Sequence, residues 1–196
     1  IRSIAQAIAE RPQIQFSVKM RLGWEDKDEW RPVLEVLNAL PLTHITLHPR
    51  IGTQQYKGEV DMESFRAFYE ACRHPLVYNG DIHTLADIRS LEEAYPRLAG
   101  IMIGRGLLAR PSLAIEYATG QEWSPEKRRK LMTDLHQALM EHWQPLMNSD
   151  AQLLNKLRTF WEYAEEEIGR KLYKKLMKSG SLKNYLSAIR EITHNS

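Results

Sequence analysis

Short apolar runs recur roughly every thirty residues through the first part of the chain, and each is followed by a polar or glycine-containing cluster. Ile1, Ile4, Ala5 and Ile8 share one face of an opening helix, which Arg11-Pro12 ends. Residues 14–20 read as a first strand and 32–40 as a helix through Val33, Leu34, Val36 and Leu37, closed by Pro41. Residues 44–47 read as a second strand, 51–58 as a loop, and Asp61 as the N-cap of a helix through Ala71 with Glu63 in its first turn. Residues 75–78 are a third strand, Thr84 caps a helix to about Tyr95, residues 99–103 are a fourth strand, and 107–117 a further helix. Strands alternating with helices mean βαβ units and a parallel sheet. Four such units account for residues 14–120. After a linker at 119–125, whose Ser124-Pro125-Glu126 is a good helix start, no stretch reads as a strand. Breaks near 145–150, at Gly169 and at Ser179-Gly180-Ser181 divide the remainder into about four helices. The expected organisation is an α/β part over residues 1–120 and an all-helical domain over 126–196.

Composition changes this picture little: 43% of the 196 residues are hydrophobic, enough for a core. No apolar stretch approaches the ~20 residues needed to cross a bilayer, so no membrane association is expected. A single cysteine, Cys72, excludes an intramolecular disulfide and suits a reducing compartment, so cytoplasm is expected. Charge is more informative. Net charge is +2, yet residues 1–125 hold 14 Lys and Arg against 16 Asp and Glu, and residues 126–196 hold 13 against 9. That asymmetry fits a catalytic part followed by one that contacts a polyanion; a solvated helical surface is the alternative. The first residue is Ile1, inside a helix, so the chain is expected to be the tail of a longer protein.

Four segments carry candidate chemistry: Val18-Lys19-Met20-Arg21-Leu22-Gly23, His48-Pro49-Arg50, Asn79-Gly80-Asp81 and Gly104-Arg105-Gly106. Each stands at the carboxyl end of a strand. In a parallel βα barrel these ends open onto one rim, where chemistry happens. Lys19 lies in an otherwise apolar run, and Arg21 falls on the same side; a lysine there is costly unless it meets an anion or an electron-rich ring. His48 reads as a donor to a ring carbonyl or as a satisfied core histidine. Asn79-Gly80-Asp81 reads as a plain turn or as a backbone approach to a planar ligand flanked by polar contacts. Gly104-Arg105-Gly106 reads as a tight turn or as an anion site built from a helix start and a guanidinium. In the helical part, Leu153, Leu154, Leu157, Phe160, Trp161 and Ala164 form a core stripe, with Lys156, Arg158 and Tyr163 off it. Lys171, Lys174, Lys175 and Lys178 form one basic helix face.

Together these segments, with Gln55-Tyr56-Lys57-Gly58 downstream of the histidine and Met102-Ile103-Gly104-Arg105-Gly106-Leu107-Leu108 at the fourth, resemble the tRNA-dihydrouridine synthase family over about residues 14–115. The likeness continues more weakly at 153–163. It implies the C-terminal half of an FMN-dependent (β/α)8 TIM barrel, strands five to eight, followed by a helical domain that grips tRNA. It implies flavin contacts at Lys19 and His48, further contacts at Asn79, Gly80 and Asp81, and phosphate contacts at Gly104 and Arg105. Substrate tRNA is expected at Arg50, Lys57, Lys156, Arg158, Lys174 and Lys175. The family's reaction reduces the uracil 5,6 double bond: NADPH reduces FMN, hydride passes to C6, and a cysteine acid protonates C5. The chain departs from the family where that acid belongs. It has no Asn-x-Gly-Cys-Pro segment and no first-strand Pro-Met, and Cys72, in Glu70-Ala71-Cys72-Arg73-His74, reads as structural. The chain by itself is therefore expected to be inactive, and the complete protein to be a monomer. Another FMN barrel acting on a small molecule, such as a dihydroorotate-dehydrogenase-like enzyme, is one alternative; a non-catalytic tRNA-binding remnant is another.

Overall fold

The computed structural model describes residues 2–194; Ile1, placed by its pattern in the opening helix, lies outside them, as do residues 195 and 196. After α1 (Arg2–Ala9), four strands alternate with helices: β1 (Phe16–Gly23), α2 (Trp30–Leu37), β2 (Leu42–Ile51), α3 (Met62–Ala71), β3 (Leu76–Asn79), α4 (Leu85–Ala94) and β4 (Leu98–Met102). The strands pair in parallel, in the order β1-β2-β3-β4. Each neighbouring pair is joined by a helical crossover, as parallel pairing requires. Asp61 caps α3 by accepting from the Ser64 N–H, as its position before the apolar run suggested.

Register sorts the side chains onto two faces. Lys19 pairs with Thr46, Arg21 with His48, Thr46 with Val77, and Asn79 with Met102. Side chains alternate along each strand, so these residues share one face. The opposite face carries Leu22, Ile45, Leu47, Leu76 and Tyr78, all buried, and there the core forms. Phe65 of α3 meets Tyr78 and Tyr95 edge-on, each with ring centroids 4.9 Å apart, and Trp30 of α2 lies 5.2 Å from Phe68. Burying these aromatic rings supplies much of the apolar stabilisation.

The strands run further than hydrophobicity alone marks. β1 begins two residues later than the apolar run and continues to Gly23, and β2 continues through His48, Pro49 and Arg50. The ladder explains both ends. Arg21 pairs with His48 but Gly23 with Ile51, so β2 carries an extra residue there. Such a bulge bends the strand and re-aims a side chain. Pro49, which has no N–H to give, sits beyond the last β2–β3 pair, Leu47 with Tyr78.

From β4 onward every element is helical: α5 (Arg105–Ala109), α6 (Leu113–Thr119), α7 (Pro125–Trp143), α8 (Asp150–Arg158), α9 (Glu165–Ile168), α10 (Arg170–Met177) and α11 (Leu182–His194). The single helix expected over 107–117 is two. Arg110 takes φ −135°, ψ 81° because the ring of Pro111 excludes the helical conformation from the residue before it. Ser124 and Ser149 cap α7 and α8 by accepting from the Lys127 and Gln152 N–H groups. The chain forms two compact units. One comprises the residues through Ile82 together with Ile88–Ile103, the other His83–Asp87 and everything from Gly104. The helical unit packs around Met132, Leu157, Trp161, Leu176, Tyr185, Ala188 and Ile192, none more than 1% exposed. Among the described residues no helix is long and apolar enough to cross a membrane.

Candidate functional site

The polar face of the sheet gathers Lys19, Arg21, His48 and Asn79 at the carboxyl-terminal half of its strands. Lys19 makes no ion pair among the described residues, and partial burial together with the nearby Arg21 charge pushes its ammonium below the usual range. His48 is 5% exposed. Its imidazole is pushed down to about 4, first by burial, then by the charges of Arg21, Arg50 and Lys19, with Asp81 pulling the other way. It is neutral at physiological pH.

Beside His48, Arg50 is 1% exposed. The bulge at Pro49-Arg50 turns it toward the end of β3, where both guanidinium Nη atoms donate to the Asp81 carboxylate. Nη2 also donates to the Gly58 carbonyl at 2.6 Å, and Nη1 lies 3.2 Å from His48 Nε2. The bond to Asp81 holds the Arg50 proton more tightly than usual, against the opposing effect of burial. Arg50 and Asp81, expected to touch tRNA and flavin respectively, are thus bound to each other, and Arg50 presents no surface to a polyanion. No local signal in the sequence carries this pairing, because the bulge interrupts the alternation between His48 and Ile51 and Asp81 lies thirty-one residues on.

Arg21 extends along the same rim. Its Nη1 donates to the Ile51 carbonyl at 2.8 Å and the Gln55 carbonyl at 2.7 Å. Gln55 takes φ +53°, a left-handed conformation uncommon outside glycine, which turns its carbonyl to the guanidinium. Trp24 and Tyr56, both well exposed, border a cavity of about 580 Å³ with Arg21, Gly23, Gly52 and Gln55. A Cβ on Gly52 would stand 2.3 Å from the Trp24 ring, so any larger residue there would displace that exposed side chain. Glu29 pins the loop that carries Trp24 by accepting from the N–H groups of Trp24, Glu25 and Asp26, which hold its carboxyl below the usual range.

Asn79 donates its amide to the Met102 carbonyl at 2.8 Å, bridging β3 to β4. Gly80 makes room for a neighbour within the chain, since a Cβ on it would stand 2.1 Å from the Tyr78 hydroxyl. Gly104, two residues beyond β4, is the N-cap of α5 and Arg105 its first residue, both in the second unit. Cys72, the C-cap of α3 ahead of β3, is buried, its Sγ donates to the His74 carbonyl, and burial pushes its thiol up. It stands at the amino-terminal end of the strands, away from Lys19 and His48. Among the described residues no acidic, histidine or cysteine cluster is placed to hold a metal.

In the helical unit the expected tRNA contacts divide. Lys156 is exposed with its ammonium 4.6 Å from the Trp143 ring centre, and Lys174 is exposed. Arg158 donates to the Ser179 carbonyl, and Lys175 is paired with Glu191. Lys57, in the sheet unit, is exposed. A cavity of about 510 Å³, not foreseen from the sequence, is lined by Arg129, Arg170, Lys171, Lys175 and Glu191.

A family model for dihydrouridine synthase (Dus) matches residues 1–194. The chain is 29% identical over 148 residues to a probable tRNA-dihydrouridine synthase of Rickettsia typhi, covering 74% of this chain and 44% of that protein. It is 36% identical over 109 residues to the tRNA-dihydrouridine(16) synthase of Pseudomonas syringae pv. tomato, covering 56% and 34%. It is 28% identical over 171 residues to the protein of the same name in Pseudomonas putida, covering 86% and 45%. The chain spans less than half the length of these curated relatives. With a parallel βα sheet, a polar strand-end face and a family match along nearly its whole length, the chain belongs to the dihydrouridine synthase family.

Proposed function

We propose that this chain is the cofactor-holding and substrate-gripping portion of an FMN-dependent tRNA-dihydrouridine synthase, with residues 1–120 supplying strands five to eight of a TIM barrel and 126–196 a helical tRNA-binding domain. The observation that carries the reading is the register, which aligns Lys19, Arg21, His48 and Asn79 on one face of a parallel sheet, in a chain matched by the family model over residues 1–194. FMN, reduced by NADPH, supplies the hydride that saturates the uracil 5,6 double bond.

The donor set fits that group. An ammonium without an ion pair among the described residues, a neutral imidazole and the carbonyl oxygen of the Asn79 amide are what a ring edge of alternating carbonyls and nitrogens needs. Lys19 offsets negative charge on the ring. His48 and Asn79 orient it. In the second unit, Gly104 and Arg105 at the start of α5 are the residues suited to a phosphate, to which a guanidinium gives a charge-assisted contact. Asp81 acts through Arg50 rather than by direct contact, and Gly80 through its packing on Tyr78. Lys57, Lys156 and Lys174 are the cations available to RNA phosphates. Cys72 is not the acid that protonates C5.

Expressing the protein that carries this chain in cells devoid of dihydrouridine tests the function. Dihydrouridine reappearing in tRNA is the expected result, and its absence from every tRNA refutes the assignment.

A further inference from the structure

Four of the five N–H groups of Arg50 have partners. Nη1 has two hydrogens: one goes to Asp81 Oδ1 at 3.0 Å, leaving the other for His48 Nε2 at 3.2 Å. Nη2 has two, directed at Asp81 Oδ2 and the Gly58 carbonyl. The fifth, on Nε, is buried without a partner. A guanidinium donates and never accepts, and in proteins it is never deprotonated. The hydrogen bond to His48 therefore has one possible direction, from Arg50 to Nε2. An imidazole nitrogen that accepts carries no proton, so the single proton of neutral His48 resides on Nδ1.

We propose that Arg50, clamped by Asp81 and Gly58, is a positioning residue that locks His48 in the Nδ1–H tautomer, so that His48 offers one fixed hydrogen-bond donor to an acceptor atom of the ring bound on this face. The choice of ring rests on the flavin reading above; the lock itself rests on Arg50, Asp81, Gly58 and His48 alone. It reverses the ordinary preference, because a neutral histidine side chain in water favours the proton on Nε2. Two features make the lock firm. Arg50 is 1% exposed and His48 5%, so water does not compete for Nε2. The charged groups that face the imidazole are Lys19 and Arg21 from β1, Arg50 from β2 and Asp81 beyond β3, with the Tyr56 ring centre 6.1 Å away. Three cations against one carboxylate oppose a second proton, so the ring does not become a donor on both sides.

The lock makes Asp81 the reason for Arg50, and Arg50 the reason for the orientation of His48. An Asn-Gly-Asp segment at a strand end then serves two purposes. Asn79 bridges β3 to β4 and offers its amide oxygen to the ring, and Asp81 holds the clamp behind the histidine.

Imidazole nitrogen shifts in the 15N-histidine-labelled protein, before any FMN is added, test the lock directly, with His48 assigned by the signal lost in His48→Gln. The expected result is a proton on Nδ1 and none on Nε2 from pH 6 to 8. A proton on Nε2, or on both nitrogens at pH 6, overturns the proposal in the native protein with no variant needed. The paired replacement Arg50→Met with Asp81→Asn removes both charges together and leaves neither stranded. In that variant the proton is expected on Nε2, the His48 midpoint rises from about 4 toward the ordinary value, and FMN titrated into the protein binds roughly tenfold more weakly. An unchanged tautomer in a variant with native thermal stability overturns the proposal. A native protein with the Nδ1–H tautomer that binds no FMN supports the lock and refutes the flavin reading, so the two fail separately.

Discussion

Among the described residues each unit of the molecule holds one deeply buried histidine, and both are pushed down to about 4. In the helical unit His136, on α7, is 2% exposed among the rings of Phe160, Trp161 and Tyr185, and its Nε2 shares a 2.9 Å hydrogen bond with the Tyr185 hydroxyl. Burial alone lowers it. In the sheet unit His48 is lowered by burial and by three cations, and its Nε2 faces a guanidinium that is itself tied to a carboxylate. The same depressed proton affinity thus arises once from a closed apolar cage and once from an assembled charge cluster. The cage surrounds its histidine with aromatic rings and one tyrosine hydroxyl and, among the described residues, brings no charged side chain to it. The cluster leaves Lys19 without an ion pair among the described residues and one imidazole nitrogen uncommitted. Location in a core is not what separates a structural histidine from a functional one; the separation lies in what its neighbours have left to give.

The largest expected difference between the two is in breaking the charge cluster. Asp81→Ala strands the buried Arg50 guanidinium, and removing one partner of a buried pair costs about 3–4 kcal/mol, toward the low end because Asp81 is one-third exposed. Denaturant unfolding of the sheet unit reads this, and no loss of stability contradicts it. Next comes pH. His136 and His48 have folded values near 4, below the ordinary 6.5 of the unfolded chain. The unfolded chain therefore binds protons first, and the stability they contribute is full above pH 6.5 and lost as pH falls toward 4. His136 accounts for about 3 kcal/mol of it. His136→Phe should flatten that part of the stability profile while leaving FMN affinity unchanged, whereas His48→Phe should flatten its own part and weaken FMN binding. Equal effects of both on FMN would erase the distinction drawn between the two histidines.

Smaller effects sharpen the comparison at the ligand sites. Arg105→Ala should weaken FMN retention by about 1.5–3 kcal/mol, the worth of a hydrogen bond to a charged group; flavin fluorescence titration measures it, and unchanged affinity removes Arg105 from the phosphate. Lys174→Ala with Lys175→Ala should leave FMN affinity intact, lower tRNA affinity and reduce the slope of its salt dependence by up to about two contacts. Lys175 spends part of its charge on Glu191, so Lys174 should carry more of the effect. An unchanged salt slope would make that face a solvated surface.

Periodicity made the four strands and their crossovers legible, because alternation of apolar and polar positions and the turn residues between them are local signals. What it did not reveal depends on contacts distant in sequence. The extension of β2 through His48-Pro49-Arg50 is set by pairing with β1, and a proline inside it argues against a strand until the bulge is seen. The role of Arg50 is set by Asp81, thirty-one residues on. Arg158 and Lys175 look like available cations in sequence because Ser179 and Glu191, their partners, are supplied by other segments of the chain. The division of residues 107–117 into α5 and α6 was within reach, since Arg110-Pro111 carries the restriction on its face.

Titrating FMN into the protein that carries this chain, for the native sequence and for Lys19→Ala, tests most directly the claim that one face of the sheet holds a flavin. The expected result is saturable binding with a shifted flavin absorbance band in the native protein, and loss of both the shift and at least tenfold in affinity on removal of the ammonium, roughly the value of one charge-assisted contact. Native protein that leaves the flavin spectrum unchanged, or a Lys19→Ala variant that binds FMN as tightly as the native, would contradict it.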